Sequence, residues 1–246
     1  MARQLRAIVR FISTLWTAFE YCARYALLSI SHGFSLTRAQ RAKWLHQCCA
    51  TALRRLGVYI HVSGTIPATG LITANHLSYL DIMVLSAICE CSFVAKREVR
   101  HWPVFGWMAT MSGTVYVDRE RPMATGEVND QLAAALRTGQ LIVMFPESTS
   151  TDGSRVLPFR SSLFAPAVTE QQPVTPAYLY YEAADGDVGQ DVCYWGDMTF
   201  LPHLLRLLGL RHVQTYVRFG EVSRGFTDRK QAAKEMHDRV LALASH

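Results

Sequence analysis

The sequence has 246 residues, of which 50% are hydrophobic and 18% are charged, which suffices for one or two domains with a substantial core. This composition excludes a disordered chain, a collagen-like repeat and a small disulfide-stabilised scaffold. The net charge of +5 is unevenly spread: residues 1–56 hold nine Lys or Arg residues and one acidic residue, whereas the remainder holds 16 basic and 19 acidic residues. A basic N-terminal segment on a mildly acidic body is therefore expected.

The basic segment is predicted to form two amphipathic helices. Apolar residues recur at three- and four-residue steps over 5–30, and a second helix is predicted over 37–56 after a break around Gly33. Glu20 and Arg24 interrupt the apolar run, so neither a spanning helix nor a signal peptide is predicted. Basic helices rich in Trp, Phe and Leu favour binding to an anionic membrane surface. A hairpin packed on the body or a partner-binding helix would give the same pattern.

The rest of the chain is predicted to alternate between strands and helices. Several strands are continuous apolar runs, which are typical of strands buried on both faces. The pattern predicts an α/β domain over 57–246, with a layered, mixed and largely parallel sheet flanked by helices, and a membrane-association segment over 1–56. An acidic surface loop is expected at 182–191. The predicted strands are 58–63, 70–75, 92–96, 114–118, 141–145, 174–181 and 215–220, and the predicted helices are 80–89, 104–111, 127–138, 161–169, 202–208 and 228–244.

The six cysteines are predicted to be reduced thiols. No CxxC pair is present, and the adjacent Cys48 and Cys49 do not suit an unstrained disulfide. Cys89 and Cys91 flank Glu90 and could bind a soft metal, but buried structural thiols are the favoured interpretation and no metal site is predicted.

The first segment that could carry chemistry is ANHLSYLD, which follows the predicted strand 70–75. Open α/β sheets bind ligands at such strand ends. Ser78 and Asp81 match a capping box that opens the next helix. If the chain before this cap curls, the Asp81 carboxylate can meet one nitrogen of the His76 ring and leave the other nitrogen free to accept a proton from a hydroxyl. Alternatively, Ser78 and Asp81 only cap the helix, and His76 is incidental.

Three further segments each allow two interpretations. In GTVYVDR, Arg119 could bind an anionic substrate, or it could form a surface pair with Asp118. The loop VMFPESTSTDG, residues 143–153, could donate hydroxyl hydrogen bonds to substrate oxygens, or it could be a polar turn. The segment QQPVTPAYL, residues 171–179, has two prolines that are also compatible with a stiffened edge strand.

Together these segments resemble, in order and spacing, the motifs of the glycerolipid acyltransferase superfamily over about residues 57–225. Its first motif, N-H-x-S-x-x-D, is matched by Asn75, His76, Ser78 and Asp81. Its second, G-x-I-F-I-D-R, is matched by Gly113, Asp118 and Arg119, with Tyr116 at the Phe position. Its third, F-P-E-G-T-R-S, is matched by Phe145, Pro146, Glu147 and Thr149, and its Val-Pro motif is matched by Val174 to Pro176.

The resemblance implies acyl transfer from an acyl thioester, carried by acyl carrier protein or coenzyme A, to the hydroxyl of a lysolipid. His76 would be the general base and Asp81 would orient its ring. A thioester is already activated, so no serine nucleophile is needed, and Asn75, Ser78 and Pro146 would be structural. No metal or bound cofactor is implied.

The acceptor implied by most of the superfamily is 1-acyl-sn-glycerol-3-phosphate, and its acylation gives phosphatidic acid. The third motif departs from this pattern, because Ser148 replaces a glycine and Ser150 replaces an arginine that the family links to the acceptor's phosphate. Arg119 and Arg160 are the remaining candidates for an anionic head group. The departure resembles the branch of lyso-ornithine-lipid acyltransferases, whose acceptor has no phosphate. The first expected acceptor is 1-acyl-sn-glycerol-3-phosphate (lysophosphatidic acid), and lyso-ornithine lipid is the alternative. Substrate contact is also expected of Gly113, Glu147, Ser148 and Thr149.

Two hypotheses from other classes stay open. Ser78 could be the nucleophile of a lipid hydrolase, although the chain has no G-x-S-x-G sequence, or the protein could be an inactive lipid-binding module. A nucleic-acid role would leave the apolar stripe of the first helix unused. The expected location, following the family, is the cytoplasmic face of the inner membrane, with peripheral or monotopic attachment.

Overall fold

The computed structural model describes residues 1–96, 100, 105–117 and 124–245. Within these ranges, strands and helices alternate after two N-terminal helices. The strands are β1 (Val58–Ser63), β2 (Gly70–Ala74), β3 (Ser92–Lys96), β4 (Val115–Val117), β5 (Leu141–Met144), β6 (Val174–Ala183) and β7 (Val213–Phe219). The helices are α1 (Ala2–Ser31), α2 (Arg38–Leu56), α3 (Leu80–Ile88), α4 (Phe105–Met111), α5 (Ala124–Arg137), α6 (Ala165–Thr169), α7 (Val188–Asp191), α8 (Phe200–Gly209) and α9 (Arg229–Ala244).

The described strands form one sheet in the order β1-β7-β6-β2-β5-β3-β4. Neighbouring strands are parallel except β6 and β7, which are antiparallel. This confirms the predicted mixed, largely parallel α/β sheet, and each predicted strand is present with ends that differ by at most two residues. All five residues of β2 are buried, because this central strand has a neighbour on each side and helices on both faces.

The proline-containing strand β6 is central, so the edge-strand interpretation of 171–179 was wrong. It lies between β2 and β7. Pro176 is tolerated because it sits beyond the last residue of β7: its carbonyl accepts the Gly220 N–H at 2.9 Å, and its missing N–H falls where the pairing with β7 ends.

One helix prediction and one loop prediction also need correction. The helix predicted over 161–169 divides into a 3₁₀ turn, Ser161–Phe164, and the short α6. The stretch 182–191 is not a loop throughout, because β6 extends to Ala183 and α7 occupies Val188–Asp191. The Asp187 side chain caps α7 by accepting the Gln190 N–H, a local signal too short to register as helical periodicity.

The second helix begins and ends as its sequence indicates. Thr37 and Gln40 form a capping box, and the helix stops at Gly57, which adopts a left-handed φ of 73°. Its inner face joins the main core through Leu45, Cys48 and Leu53. The division into segments 1–56 and 57–246 remains a prediction.

The first helix packs against α2 and α8 with one face and leaves its other face bare. Trp44 donates its indole N–H to the Tyr21 carbonyl at 2.9 Å, and the Tyr21 and Thr51 hydroxyls lie 2.8 Å apart. No helix in the described part of the chain is long and apolar enough to cross a membrane. The exposed face, called the apolar stripe below, consists of Leu5, Ile8, Val9, Ile12, Leu15, Trp16, Phe19, Leu27 and Ile30.

Two basic residues of the N-terminal segment bind the body of the protein, and a third links its two helices. The Arg10 guanidinium donates to three backbone carbonyls at and beyond the end of α8, and Arg3 pairs with the buried Asp191 at 3.0 Å. Arg55 pairs with Glu20 at 3.1 Å. Part of the positive charge counted in the sequence is therefore used to hold α1 in place.

Candidate active site

The sequence motifs meet at the carboxyl ends of two neighbouring parallel strands. The register pairs Ile72 of β2 with Val143 of β5, so the loops after these strands leave the sheet at the same edge. The first loop carries His76 and the second carries Glu147. This is the edge at which open α/β sheets bind ligands.

The structure brings His76 and Asp81 together. The ring Nδ1 lies 2.7 Å from Asp81 Oδ2, and the His76 ring stacks on Phe145 with a centroid separation of 4.2 Å. The side chain of Asp81 is fully buried and also accepts the backbone N–H groups of Leu77 and Ser78 at 2.7 and 2.9 Å. Among the described residues, the His76 Nε2 atom has no hydrogen-bond partner, so it can accept a proton from a bound hydroxyl.

The predicted capping box is only half formed: the Asp81 carboxylate accepts the Ser78 N–H, but the Ser78 hydroxyl does not cap the helix. Helix α3 begins at Leu80 with Tyr79 at its N-cap position and has no side-chain cap. The Ser78 hydroxyl is buried and has no hydrogen-bond partner in the described part of the chain. Asp81 instead turns back toward the loop, where it holds His76.

Two buried side chains fix the loop that carries His76. The Asn75 amide donates to the Leu179 carbonyl at 2.9 Å and accepts the Leu179 N–H at 2.8 Å, which ties the end of β2 to β6. Glu147 accepts the His76 N–H at 2.7 Å on one oxygen and the Leu157 N–H at 2.6 Å on the other. Burial raises the pKa of Glu147 to about 7, against the opposing effect of these two N–H bonds.

The loop after Glu147 is held by backbone contacts. Ser148 adopts a left-handed φ of 69°, the conformation expected where the family has glycine. The Ser150 hydroxyl donates to the Tyr194 carbonyl, and the Thr151 N–H donates to the His76 carbonyl at 3.0 Å. Thr149 is exposed, and the Pro146 carbonyl accepts the Arg160 N–H at 3.0 Å.

A cavity of about 320 Å³ opens beside His76. Its lining is mainly apolar, and no Asp, Glu, Lys or Arg side chain of the described residues contributes to it. Helices α1 and α2 form one wall, and α3, β3, α4 and the loop 148–150 form the others. The residues of the α1–α2 wall are Thr14, Thr17, Ala18, Leu45, Cys48, Cys49 and Ala52.

The remaining predicted site residues are less closely associated with the cavity. Gly113 follows α4 with a φ of 81°; its neighbours Ser112 and Thr114 line the cavity, whereas Gly113 does not. The Arg160 side chain is exposed and does not line the cavity. Asp118 and Arg119 lie outside the described residues.

Sequence reasoning missed two tyrosines. The Tyr181 hydroxyl donates to Asp81 Oδ1, and Tyr194 lines the cavity and receives the Ser150 hydroxyl bond. Tyr181 is a strand residue 100 positions from Asp81, and no local pattern marks it.

Comparisons with known proteins identify the family of the chain. The acyltransferase family model matches residues 57–180. The chain is 41% identical over 187 residues to the lyso-ornithine lipid O-acyltransferase of Brucella abortus, covering 70% of each chain. It is 35% identical over 134 residues to a 1-acyl-sn-glycerol-3-phosphate acyltransferase of Neisseria gonorrhoeae, covering 51% of this chain and 52% of that one.

The chain belongs to the acyltransferase family and is an O-acyltransferase. Its fold is that of the crystal structure of the 1-acyl-sn-glycerophosphate acyltransferase PlsC from Thermotoga maritima. That structure superposes with a TM-score of 0.68 at 19% identity over 99% of this chain and 98% of the other.

Proposed function

We propose that this protein transfers a fatty acyl group from an acyl thioester to the free hydroxyl of a lyso-ornithine lipid, with His76 as the general base. The observation that carries the proposal is the position of His76: Asp81 holds one ring nitrogen, and the ring lines a mainly apolar cavity. A cavity of this size and lining suits the acyl chain of the donor. The thioester carbonyl would then lie beside the ring.

The reaction needs one base and no covalent enzyme intermediate. The acceptor hydroxyl oxygen attacks the thioester carbonyl carbon while its proton passes to His76 Nε2. When the tetrahedral adduct collapses, the carbon–sulfur bond breaks and the departing thiolate takes that proton. The buried Asp81 carboxylate stabilises the imidazolium that exists between these two steps. The products are the ester and a free thiol of acyl carrier protein or coenzyme A.

The choice of acceptor rests on Ser150. This residue stands where the family has an arginine, and its hydroxyl is already bonded to the Tyr194 carbonyl. A serine in this role gives a phosphate neither a charge nor a forked donor. The sequence alone placed lysophosphatidic acid first, but this geometry and the similarity to the Brucella abortus enzyme favour the phosphate-free acceptor.

The apolar stripe supports attachment to a membrane. A hairpin packed entirely on the body would bury these residues, whereas here they face outward. Such a helix can lie in the interface of a bilayer, where the lysolipid is dissolved. We place the protein on the cytoplasmic face of the inner membrane, because acyl thioesters are made in the cytoplasm.

An acceptor competition tests the proposal. Detergent-solubilised protein receives one long-chain acyl thioester and equal amounts of lyso-ornithine lipid and lysophosphatidic acid. We expect the lyso-ornithine lipid to be acylated preferentially, and we expect His76→Ala to lose at least about a hundredfold in turnover. His61→Ala, a change at an exposed histidine on β1, is the matched control and should keep full activity.

The same assay separates the acceptor from the mechanism. Ser150→Arg should raise the relative rate with lysophosphatidic acid, whereas Ser150→Ala should not. A wild-type preference for lysophosphatidic acid would disprove the acceptor. Full activity of His76→Ala would disprove the general base.

A further inference from the structure

The two oxygens of the Asp81 carboxylate have different surroundings. Oδ2 is shared by the His76 ring and two backbone N–H groups of the same loop. Oδ1 is bound by the hydroxyl of Tyr181, which comes from β6. The carboxylate is therefore held from its own loop on one side and from the sheet on the other.

Tyr181 can act on Asp81 only as a hydrogen-bond donor. Its side chain is buried, and burial together with the adjacent Asp81 carboxylate raises the pKa of the phenol well above its usual value. The hydroxyl therefore keeps its proton throughout the working pH range. Tyr181 does not line the cavity, so it does not touch the substrate.

Resting on the function proposed above, we infer that Tyr181 is a positioning residue of the acyltransferase site: its hydroxyl fixes the Asp81 carboxylate and sets how strongly that carboxylate attracts the proton of the His76 ring. Without the Tyr181 bond, more negative charge would stay on Asp81 and one of its buried oxygens would lose its donor. The pair formed by His76 and Asp81 would then take up a proton at higher pH.

Other titratable groups lie near Asp81, but they do not account for the change expected when Tyr181 is substituted. Burial raises the pKa of the Cys193 thiol to about 12, and the pKa of the Tyr79 phenol is also raised, so both stay neutral. Glu147 has a pKa of about 7 and titrates in the working range. Glu147 binds the N–H groups of His76 and Leu157 and not Tyr181, so it is present in both wild type and a Tyr181 variant and the comparison between them reports on Tyr181. The titratable groups that face Asp81 are His76, Glu147, Tyr181 and Cys193. Tyr79 faces Tyr181.

The test is Tyr181→Phe, which removes one oxygen and keeps the ring. The matched control is Tyr180→Phe on the same strand, whose hydroxyl faces the other side of the sheet and accepts a bond from Arg218. The NMR titration midpoint of the His76 ring, followed with nitrogen-15-labelled histidine, should rise by about half to one pH unit in Tyr181→Phe. It should not move in Tyr180→Phe.

Kinetics give the second readout. In Tyr181→Phe, the acid limb of kcat/KM should move in the same direction as the His76 midpoint. Above that limb, kcat should fall about three- to tenfold, with KM unchanged for both substrates. An unmoved midpoint with only a loss of thermal stability would overturn the inference, because a purely structural tyrosine behaves in that way.

Site-specific replacement of Tyr181 by 3-fluorotyrosine decides the case if Tyr181→Phe does not fold. The more acidic phenol donates more strongly, so the His76 midpoint should fall; a midpoint equal to that of wild type would overturn the inference. Because the NMR readout needs no turnover, it also separates the two proposals. If the wild type acylates no lysolipid while the midpoint shifts as expected, the proposed function fails and the positioning role stands.

Discussion

Glu147 illustrates how a motif residue can act on the backbone instead of the substrate. Its two oxygens accept the N–H groups of His76 and Leu157, so one buried carboxylate joins the loop after β2 to a segment ten residues beyond Glu147. Sequence reasoning grouped Glu147 with the substrate-binding residues. The geometry favours a role for Glu147 in fixing the loop that carries the base His76. Asn75 fixes the same loop through its hydrogen bonds to β6.

The raised pKa of Glu147 leads to a prediction about stability. The folded state binds its proton up to about pH 7, whereas the unfolded chain releases it near the ordinary value of 4.5. The native state thus binds more protons in this window, and its free energy of unfolding should fall as pH rises from about 4.5 to 7, by up to about 3 kcal/mol. Denaturant unfolding of detergent-solubilised protein at several pH values would measure this slope.

Glu147→Gln is the control for that slope. The glutamine cannot titrate, so its stability should change less over the same window. Its amide NH₂ must also face one of the two N–H donors, which should destabilise the variant by about 1–3 kcal/mol at low pH. A variant with the wild-type slope would show that another group causes the pH dependence.

The elements that position the site were predictable where a local pattern encodes them. The buried strand β2, the capping box at Thr37 and the five-residue spacing of His76 and Asp81 can each be read from neighbouring residues. The contact of Tyr181 with Asp81 could not, because strand order brings together residues 100 positions apart. The helix cap predicted for the Ser78 hydroxyl is absent, because the Asp81 carboxylate binds the His76 ring and the serine hydroxyl is buried.

The cavity also depends on packing between elements, and we propose that α2 determines the length of the acyl chain that fits it. Ala52 of α2 lines the cavity beside the small side chains of α1. Ala52→Leu would fill room that otherwise holds about three methylenes, each worth about 0.8 kcal/mol on burial. We expect kcat/KM for long-chain donors to fall by tenfold or more, while shorter donors lose little.

A panel of acyl thioesters of increasing length would measure this effect. Ala39→Leu, at an exposed position on α2 outside the cavity, is the matched control and should leave the chain-length profile unchanged. Equal losses with short and long donors in Ala52→Leu would contradict a chain-binding role for this wall.

At the scale of the whole molecule, the two faces of α1 have different surroundings. Its inner face forms part of the cavity wall and is tied to α8 through Arg10, whereas the apolar stripe faces outward. Removing the helix would therefore damage the cavity as well as any membrane contact. Substitutions confined to the stripe test attachment without this complication.

We expect the double substitution Trp16→Ser and Phe19→Ser to weaken binding to anionic vesicles at least tenfold, because these exposed rings supply much of the apolar area of the stripe. Vesicle sedimentation would measure binding, and the fold should survive because neither side chain is buried. Thr14→Ser, on the inner face of the same helix, should bind as wild type does.

The salt dependence of vesicle binding tests the same prediction in a second way. Arg3 and Arg10 are bound to the body and Arg55 pairs with Glu20 of α1, so fewer charges are free for lipid head groups than the sequence count suggests. Vesicle binding of wild type should persist in part at about 1 M salt, where the Debye length is about 3 Å. Complete release at that salt, with wild-type binding by the double variant, would show that charge and not the apolar stripe attaches the enzyme to its substrate's membrane.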